Sequence, residues 1–219
     1  MSIVVTACFR RETRWVVQHP DVKVVRTSMG VRAVDRMEAF VDRSESMDLL
    51  ISTGFCGGLV DGLETGDLVL ADEVRTTGAP VAVSADLVDR AHRALERAGC
   101  PVRVGPIETS DAVLDVAGKR ASAVRDASDT RRALGVDMES GRLARWAAKH
   151  GVPFLVCRSV LDPVTVEPVF RTDRPRWCSV VRHPLGTWTM ARRSATAGRS
   201  IGRAIDALRA SELSEGVSR

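Results

Sequence analysis

Short apolar runs alternate along the chain with longer segments in which apolar residues recur every three or four positions. The runs are five to eight residues long, as buried strands are, and lie at 3–8, 22–28, 48–53, 67–74, 133–137 and 152–159. The periodic segments predict helices, of which the clearest are 84–99, with Ser84 as a possible N-cap, and 138–151, each ending at a glycine. This alternation predicts a three-layer α/β/α fold with a central mixed sheet.

Acidic or flexible positions follow several of these predicted strands. Glu12, Gly54 and Asp162 each come at the end of an apolar run or a few residues after it. In open α/β sheets the ligand lies beyond the carboxyl ends of the strands, so we expect these residues at one edge of the sheet. Glu139, delivered by the run at 133–137 to the start of a helix, joins them. Three carboxylates beside a glycine-rich segment suit bond cleavage by acid and base catalysis.

The glycine-rich segment is "STGFCGGLVDGLETGDLVLADEV", residues 52–74, and its first part predicts a loop between two strands. It lacks the G-K-[ST] sequence of a Walker-type phosphate cradle. Two alternatives stay open for this loop. Its glycines bring the backbone close to a ligand, or they only form a tight turn after the strand.

Length and composition indicate a single domain over residues 1–219. With 44% hydrophobic residues the chain can bury one sizeable core, and no Pro/Gly/Ser-rich linker divides it. The amino-terminal apolar run is short and two arginines follow it, which fits neither a signal peptide nor a membrane span. We expect a cytoplasmic protein.

The cysteines argue against both a disulfide framework and a metal site. They are odd in number and scattered without a C-x-x-C pair, at Cys8, Cys56, Cys100, Cys157 and Cys178. Cys56 lies in the glycine-rich segment, but the sequence offers no evident histidine partner for a nucleophile. We therefore interpret Cys56 as part of a pocket lining and expect no bound metal.

The positive charge of the chain is concentrated near its carboxyl end. Between residues 171 and 210 there are nine arginines but only two acids, and a basic amphipathic helix is predicted at about 185–210. Its predicted polar side carries Arg192, Arg193, Arg199 and Arg203, and its predicted apolar side carries Trp188, Ile201, Ile205 and Leu208. Either this helix packs on the sheet with its arginines paired to acids of the protein, or it binds anionic lipid at a membrane surface. No nucleic-acid-binding signature accompanies the charge.

Two long motifs resemble the signatures of the nucleoside phosphorylase and nucleosidase superfamily, whose members cleave the N-glycosidic bond of nucleosides. They are "ISTGFCGGLVDGLETGDLVLADEV" and "VDMESGRLARWAAKHGVPFLVCRSVLD", and the resemblance covers roughly residues 2–165. It implies a purine, adenine-type nucleoside as substrate and a homodimer or larger homo-oligomer. It implies no cofactor, with phosphate as co-substrate if the reaction is phosphorolytic.

Two branches of that superfamily are similar to different parts of the chain. "FRRE", ending at Glu12, resembles the hydrolytic methylthioadenosine/S-adenosylhomocysteine nucleosidases. The combination of "RETRWV", "VDMESGRLARWAAKHGVPFLVCRSVLDP" and the basic tail is most similar to the hopanoid-associated phosphorylases, which remove adenine from lipid-linked adenosylhopane. Hydrolysis and phosphorolysis therefore both stay open. A non-catalytic nucleoside-binding protein and a peripheral membrane or scaffold protein are the alternatives from other classes.

The resemblance also implies roles for single residues. Asp162 would donate a proton to the purine, Glu12 would activate water, and Glu139 would bind the ribose hydroxyls. The pocket would further be lined by Met138, Asp137, Gly54, Phe55, Cys56, Gly57 and Val113. Four positions depart from the family pattern towards a more apolar pocket. Leu161 stands where a serine is usual, Phe55 and Cys56 replace small residues, and Val113 lies where an aromatic residue often stacks on the base.

Overall fold

The structure is a computed structural model that describes residues 2–28, 30–41, 47–125, 131–168 and 184–211. Cys178 and most of the basic segment before residue 184 lie outside the described residues. The strands are β1 Ile3–Ala7, β2 Val22–Arg26, β3 Leu49–Gly58, β4 Leu68–Arg75, β5 Val81–Ala82, β6 Val102–Thr109, β7 Gly135–Asp137 and β8 Phe154–Asp162. The helices are α1 Arg10–Thr13, α2 Ala33–Val41, α3 Ala85–Arg97, α4 Val116–Arg125, α5 Ser140–His150 and α6 Pro184–Ala210.

The described strands form one mixed sheet, which confirms the predicted fold class. Its order is β2-β1-β3-β7-β6-β4-β5, and β8 pairs with both β3 and β4. Strands β3, β7, β6, β4 and β8 thereby close into a ring. Parallel pairs join β1 to β3 and β3 to β8, whereas β4 and β8 are antiparallel. The carboxyl ends of β1, β3 and β8 therefore point the same way.

The glycine-rich segment is a strand where the sequence predicted a loop. Strand β3 continues through Gly58, so Gly54, Phe55, Cys56 and Gly57 all lie within it. Its partner β8 is likewise longer than predicted, and Asp162 is its last residue. Gly57 lies opposite Asp162, just after a register shift between the two strands. Glycine in a strand often marks such an irregularity or the close approach of another group, and both occur here.

Two helix predictions need correction at their ends. The segment "RRETRWVV", residues 10–17, has a helical pattern, but the helix stops at Thr13. Ser84 does precede α3, but its side chain makes no capping hydrogen bond. By contrast, α5 ends as the sequence predicts, since Gly151 follows it in the left-handed conformation with φ +65°.

Helix α6 packs its apolar side against β8 and α1. Ile201, Ile205 and Leu208 are buried in the main core, as the pattern predicts. Trp188 is the exception, because 61% of it is exposed and the guanidinium of Arg192 lies over its ring. In the alternative in which this helix packs on the sheet, Trp188 therefore does not share the buried side. Among the described residues, no helix is both long and apolar enough to cross a membrane.

Candidate active site

Three carboxylates surround one buried arginine, near the carboxyl ends of β1 and β7 and the middle of β8. Arg158 of β8 is 1% exposed, and its Nη2 atom lies 2.8 Å from Asp137 Oδ2. Its Nη1 atom lies 3.6 Å from Glu139 Oε2, and the carboxylate of Glu12 is close enough to interact with its charge. A buried charge requires partners of this kind, so Arg158 holds the carboxylates in place and they hold it.

Two serine hydroxyls also accept hydrogen bonds from Arg158. Nε donates to Ser140 Oγ at 3.3 Å, and Nη2 donates to Ser52 Oγ at 3.0 Å. A buried arginine such as Arg158 can bind phosphate or pair with a carboxylate. In the structure it pairs with carboxylates, and its guanidinium has no solvent-facing side.

Glu12 is buried although it belongs to a helix of one turn. Its Oε2 atom accepts a hydrogen bond from the Phe9 amide at 2.5 Å, and Oε1 accepts one from the Phe55 amide at 2.9 Å. Burial raises the pKa of Glu12, while these two amides and the charge of Arg158 oppose that rise. A carboxylate with a raised pKa is suited to accept a proton near neutral pH.

Gly54 leaves the space in which Glu12 and Arg158 approach β3. A Cβ atom at this position would lie 2.7 Å from Arg158 Nη1 and 2.8 Å from Glu12 Oε1. Its φ of +128° is also one that residues with a side chain rarely adopt. The site therefore requires glycine here for two independent reasons.

Glu139 lies at the N-cap position of α5 and points back towards α2. Its Oε1 atom accepts a hydrogen bond from the Gly30 amide at 3.4 Å. Burial raises the pKa of Glu139 to about 7, although the charge of Arg158 acts in the opposite direction. Its carboxylate makes no side-chain cap of the helix, which leaves it free to accept hydrogen bonds from a ligand's hydroxyl groups.

Asp137 is positioned behind the other carboxylates. Besides Arg158, it accepts hydrogen bonds from Thr109 Oγ1 at 2.9 Å and from the Ser140 amide at 3.2 Å. These contacts make it an organiser of Arg158 and of the start of α5. Direct contact between Asp137 and a substrate stays a prediction, as it does for the half-buried Met138 next to it.

Asp162 lies apart from the Arg158 cluster, at the end of β8. It is 7% exposed, and its Oδ1 atom has no hydrogen-bond partner among the described residues. The Nη1 atom of Arg193, from α6, lies 3.6 Å from Oδ1. Burial raises the pKa of Asp162, and Lys119 and Arg193 oppose that rise. A helix N-cap role does not apply, because residues 163–168 contain no helix.

The remaining predicted lining residues differ in how close they lie to this site. Phe55 packs with Leu161, Met190 and Ala197 in an apolar patch beside Asp162. Cys56 is buried, and burial raises the pKa of its thiol to about 12, so it is not a thiolate near neutral pH. Val113 is half-buried between β6 and α4, and its closeness to a bound base stays a prediction.

Sequence reasoning missed Lys119, which reaches the site from α4. It is 2% exposed, and its Nζ atom donates to the carbonyl oxygens of Asp162, Pro163 and Val166, each at 3.1 Å. No motif marks this residue. The one available signal is its residue type, since only three of the 32 basic residues are lysines.

The sequence match extends over most of this site. Residues 6–176 match the profile of the Phosphorylase superfamily. The chain belongs to that superfamily, which confirms the resemblance of its two motifs. Over 159 residues it is 31% identical to the 5'-methylthioadenosine/S-adenosylhomocysteine nucleosidase of Haemophilus influenzae (strain PittEE), covering 65% of this chain and 68% of the relative. The nucleosidase of the same name from Shewanella baltica (strain OS155) is 29% identical over 160 residues, which are 65% of this chain and 66% of that one.

Solved structures show the same fold at lower sequence identity. The 5'-methylthioadenosine/S-adenosylhomocysteine nucleosidase of S. pneumoniae, with a transition-state inhibitor, superposes with a TM-score of 0.74 at 19% identity, covering 95% of this chain and 98% of that one. The futalosine hydrolase of Helicobacter pylori strain 26695 superposes with a TM-score of 0.72 at 15% identity, covering 95% and 97%.

Proposed function

We propose that the protein is a purine nucleosidase that cleaves the N-glycosidic bond of an adenine-type nucleoside by hydrolysis. The observation that carries this proposal is the placement of two buried carboxyl groups along β3. Glu12 is bonded to the amide of Phe55, and Asp162 lies opposite Gly57, two residues further along the strand. The superfamily and the nucleosidase relatives support the same reaction.

The reaction needs one group to donate a proton and another to accept one. Cleavage builds positive charge on the ribose and negative charge on the departing base. Asp162, whose Oδ1 atom has no hydrogen-bond partner in the part of the chain that the structure describes, donates its proton to N7 of the purine. The C1′–N9 bond breaks at the same time, and its electron pair passes to the base. Glu12 accepts a proton from the water that attacks C1′, and Glu139 accepts hydrogen bonds from the ribose hydroxyls.

Hydrolysis fits this site better than phosphorolysis because the site places negative charge where phosphate would attack. The carboxylate of Glu12 already occupies the amides of Phe9 and Phe55, and Arg158 is paired with Asp137. A phosphate dianion would be repelled by the carboxylate of Glu12, while the charge of Arg158 is already balanced by Asp137. Phosphate as a co-substrate is the alternative.

Product analysis separates these reactions. We expect the protein to release adenine from 5'-methylthioadenosine at the same rate with and without phosphate, and to form the free sugar. Dependence on phosphate and formation of the sugar 1-phosphate would establish phosphorolysis. Nucleoside binding without release of base would establish the non-catalytic alternative.

A lipid-linked nucleoside such as adenosylhopane is the second candidate substrate. The apolar patch of Phe55, Leu161, Met190 and Ala197 makes this part of the site apolar, which favours an apolar substrate. The thioether of 5'-methylthioadenosine also satisfies that preference. Comparing kcat/KM for 5'-methylthioadenosine and for adenosines with 5′ alkyl chains of increasing length distinguishes the two, since a lipid substrate predicts a steady rise with chain length.

Membrane contact through α6 stays a prediction, and the contacts of its arginines support the alternative. Arg193 pairs with Asp162, Arg199 lies over the ring of Trp15, and Arg203 donates to two backbone carbonyls at the end of α3. These arginines bind the protein's own surface. We expect no sedimentation with anionic vesicles at any salt concentration, whereas binding that falls as salt rises would establish a membrane role.

The predicted homo-oligomer belongs to the same proposal. We propose a dimer or larger assembly in which a neighbouring subunit closes each pocket, as the family resemblance implies. The molar mass from light scattering tests this assembly, because a monomer of 23.7 kDa at micromolar concentration would contradict it.

A further inference from the structure

Lys119 is a buried lysine in a chain whose basic residues are mostly arginines. The chain has 32 basic residues, of which only Lys23, Lys119 and Lys149 are lysines. Lys119 is among the largest fully buried side chains, whereas Lys149 is exposed. A lysine is almost never buried unless its charge has partners, so its contacts indicate what it does.

The ammonium group of Lys119 has three donors and finds three acceptors. These are the backbone carbonyls of Asp162, Pro163 and Val166, each 3.1 Å from Nζ. All three belong to the end of β8 and the segment directly after it. A compact ammonium suits three converging carbonyls, whereas the planar fork of an arginine suits carboxylates and phosphates. The contacts thus explain why a chain rich in arginine has a lysine here.

Strand β3 leaves room for this side chain at Gly57. A Cβ atom there would lie 3.1 Å from Lys119 Cε and 3.3 Å from Val136 Cγ1. Gly57 is also the residue opposite Asp162 in the pairing of β3 with β8. Lys119 therefore passes behind β3 at the level of the proposed proton donor.

We infer that Lys119 is a positioning residue for cleavage of the N-glycosidic bond. It fixes the backbone from Asp162 to Val166 and so aims the carboxyl group of Asp162 at the departing base. This inference rests on the proposed function, in which Asp162 is the proton donor. Lys119 acts through Asp162 and has no contact of its own with the reacting atoms.

The charge of Lys119 acts on the same carboxyl group. Burial lowers the pKa of Lys119. The titratable groups that interact with its charge are Asp162, Glu167, Cys56 and Arg193. Lys119 and Arg193 both lower the pKa of Asp162, against the effect of burial. A proton donor must be protonated to act, so activity falls as pH rises through the pKa of Asp162. Removing the charge of Lys119 raises that pKa and moves the fall in activity to higher pH.

The test compares Lys119→Met, which keeps the volume but removes the charge, with Lys149→Met, which removes an exposed lysine. We expect Lys119→Met to lower kcat about tenfold or more with KM within about threefold, since a misaimed acid loses part of its contribution. We also expect the fall in kcat/KM to move about half a pH unit or more to higher pH. Lys149→Met should change neither. A kcat within about twofold of wild type, or a lower kcat without the pH shift, would overturn the inference.

Hydrogen exchange of the full-length protein gives a readout that does not depend on catalysis. The Val166 amide donates to the Pro163 carbonyl, which also binds Lys119. Backbone amides of residues 164–167 should exchange at least about tenfold faster in Lys119→Met than in Lys149→Met. Equal exchange would show that Lys119 does not fix the backbone from Asp162 to Val166, even if the protein proves to cleave no nucleoside. If Lys119→Met does not fold, Lys119→Gln, which keeps two N–H donors without the charge, is measured in both assays against the same outcomes.

Discussion

Replacing Gly54 by alanine tests the packing at the centre of the site. The added methyl group would lie 2.7 Å from Arg158 Nη1 and 2.8 Å from Glu12 Oε1, where contacts of Cβ atoms essentially never occur. Both neighbours are buried and held by other hydrogen bonds, so neither can move away without breaking one. The substitution should therefore damage both the stability of the fold and the alignment of the site.

The size of the effect follows from two separate costs. The positive φ of Gly54 makes a side chain unfavourable by about 1–3 kcal/mol. The steric overlap with Glu12 and Arg158 adds about 1–3 kcal/mol, as overpacking of a core does. A total of about 4 kcal/mol lowers the Tm of a chain of this size by roughly 8–16 °C. Misplacing Glu12 or Arg158 by about 1 Å lowers kcat/KM about a hundredfold or more.

Gly151→Ala is the matched control for Gly54→Ala. Gly151 also has a positive φ, +65°, but nothing lies within 4 Å of its added Cβ atom, and it is at the end of α5. Its free energy of unfolding should fall by only about 1 kcal/mol, because only the backbone conformation is unfavourable for alanine, and its kcat/KM should be unchanged. Thermal melts and release of adenine from 5'-methylthioadenosine measure both. If Gly54→Ala melts like Gly151→Ala and keeps its activity within a few-fold, the close approach of Glu12 and Arg158 to β3 is wrong.

Three further predictions concern Glu139 and Cys56. Glu139→Gln should reduce kcat/KM for ribonucleosides much more than for 2′-deoxy analogues, because the ribose hydroxyls lose a carboxylate acceptor; equal losses would exclude that role. The pKa of Glu139, about 7 in the folded protein, lies above its unfolded value, so the stability it contributes is full below about pH 4.5 and is lost as pH rises through 7. The Tm of Glu139→Gln relative to wild type should therefore rise over that interval, and a constant difference would contradict it. Mass mapping after treatment of the native protein with iodoacetamide at pH 8 should find Cys56 unmodified, since its thiol is buried with a pKa of about 12.

The placement of Glu12, Glu139 and Asp162 could be predicted from the sequence because it depends on local patterns. Each follows a short apolar run. The parallel strands β1 and β8 bring Glu12 and Asp162 to one edge of the sheet, whereas Glu139 follows β7, which runs antiparallel to β3. The structure places Glu12 on the Phe55 amide and Asp162 opposite Gly57, as this rule implies. The two groups differ in their surroundings, however, and only the structure separates Asp162 from the cluster around Arg158.

The strand nature of residues 54–58 could not be predicted, because its cause lies elsewhere in the chain. Glycines in a sequence usually mark turns, but here the side chains of Glu12, Arg158 and Lys119 fill the space beside Gly54 and Gly57. The partners of Arg158 were hidden for the same reason, since Ser52 lies 106 residues away in sequence. Closure of the ring through β8 also depends on such distant pairings. The partners that balance the charge of Arg158 come together only when the sheet is assembled.

Release of free base by wild type and by Asp162→Asn tests the central claim most directly. The asparagine keeps the shape of the side chain at the end of β8 but has no carboxyl proton to donate to the purine. We predict that wild type releases adenine from 5'-methylthioadenosine without phosphate. We predict that Asp162→Asn folds with a similar Tm. Its turnover should be lower than that of wild type by about a hundredfold or more, the scale of a lost general acid. Turnover of the variant within a few-fold of wild type would remove Asp162 from the reaction and contradict the account.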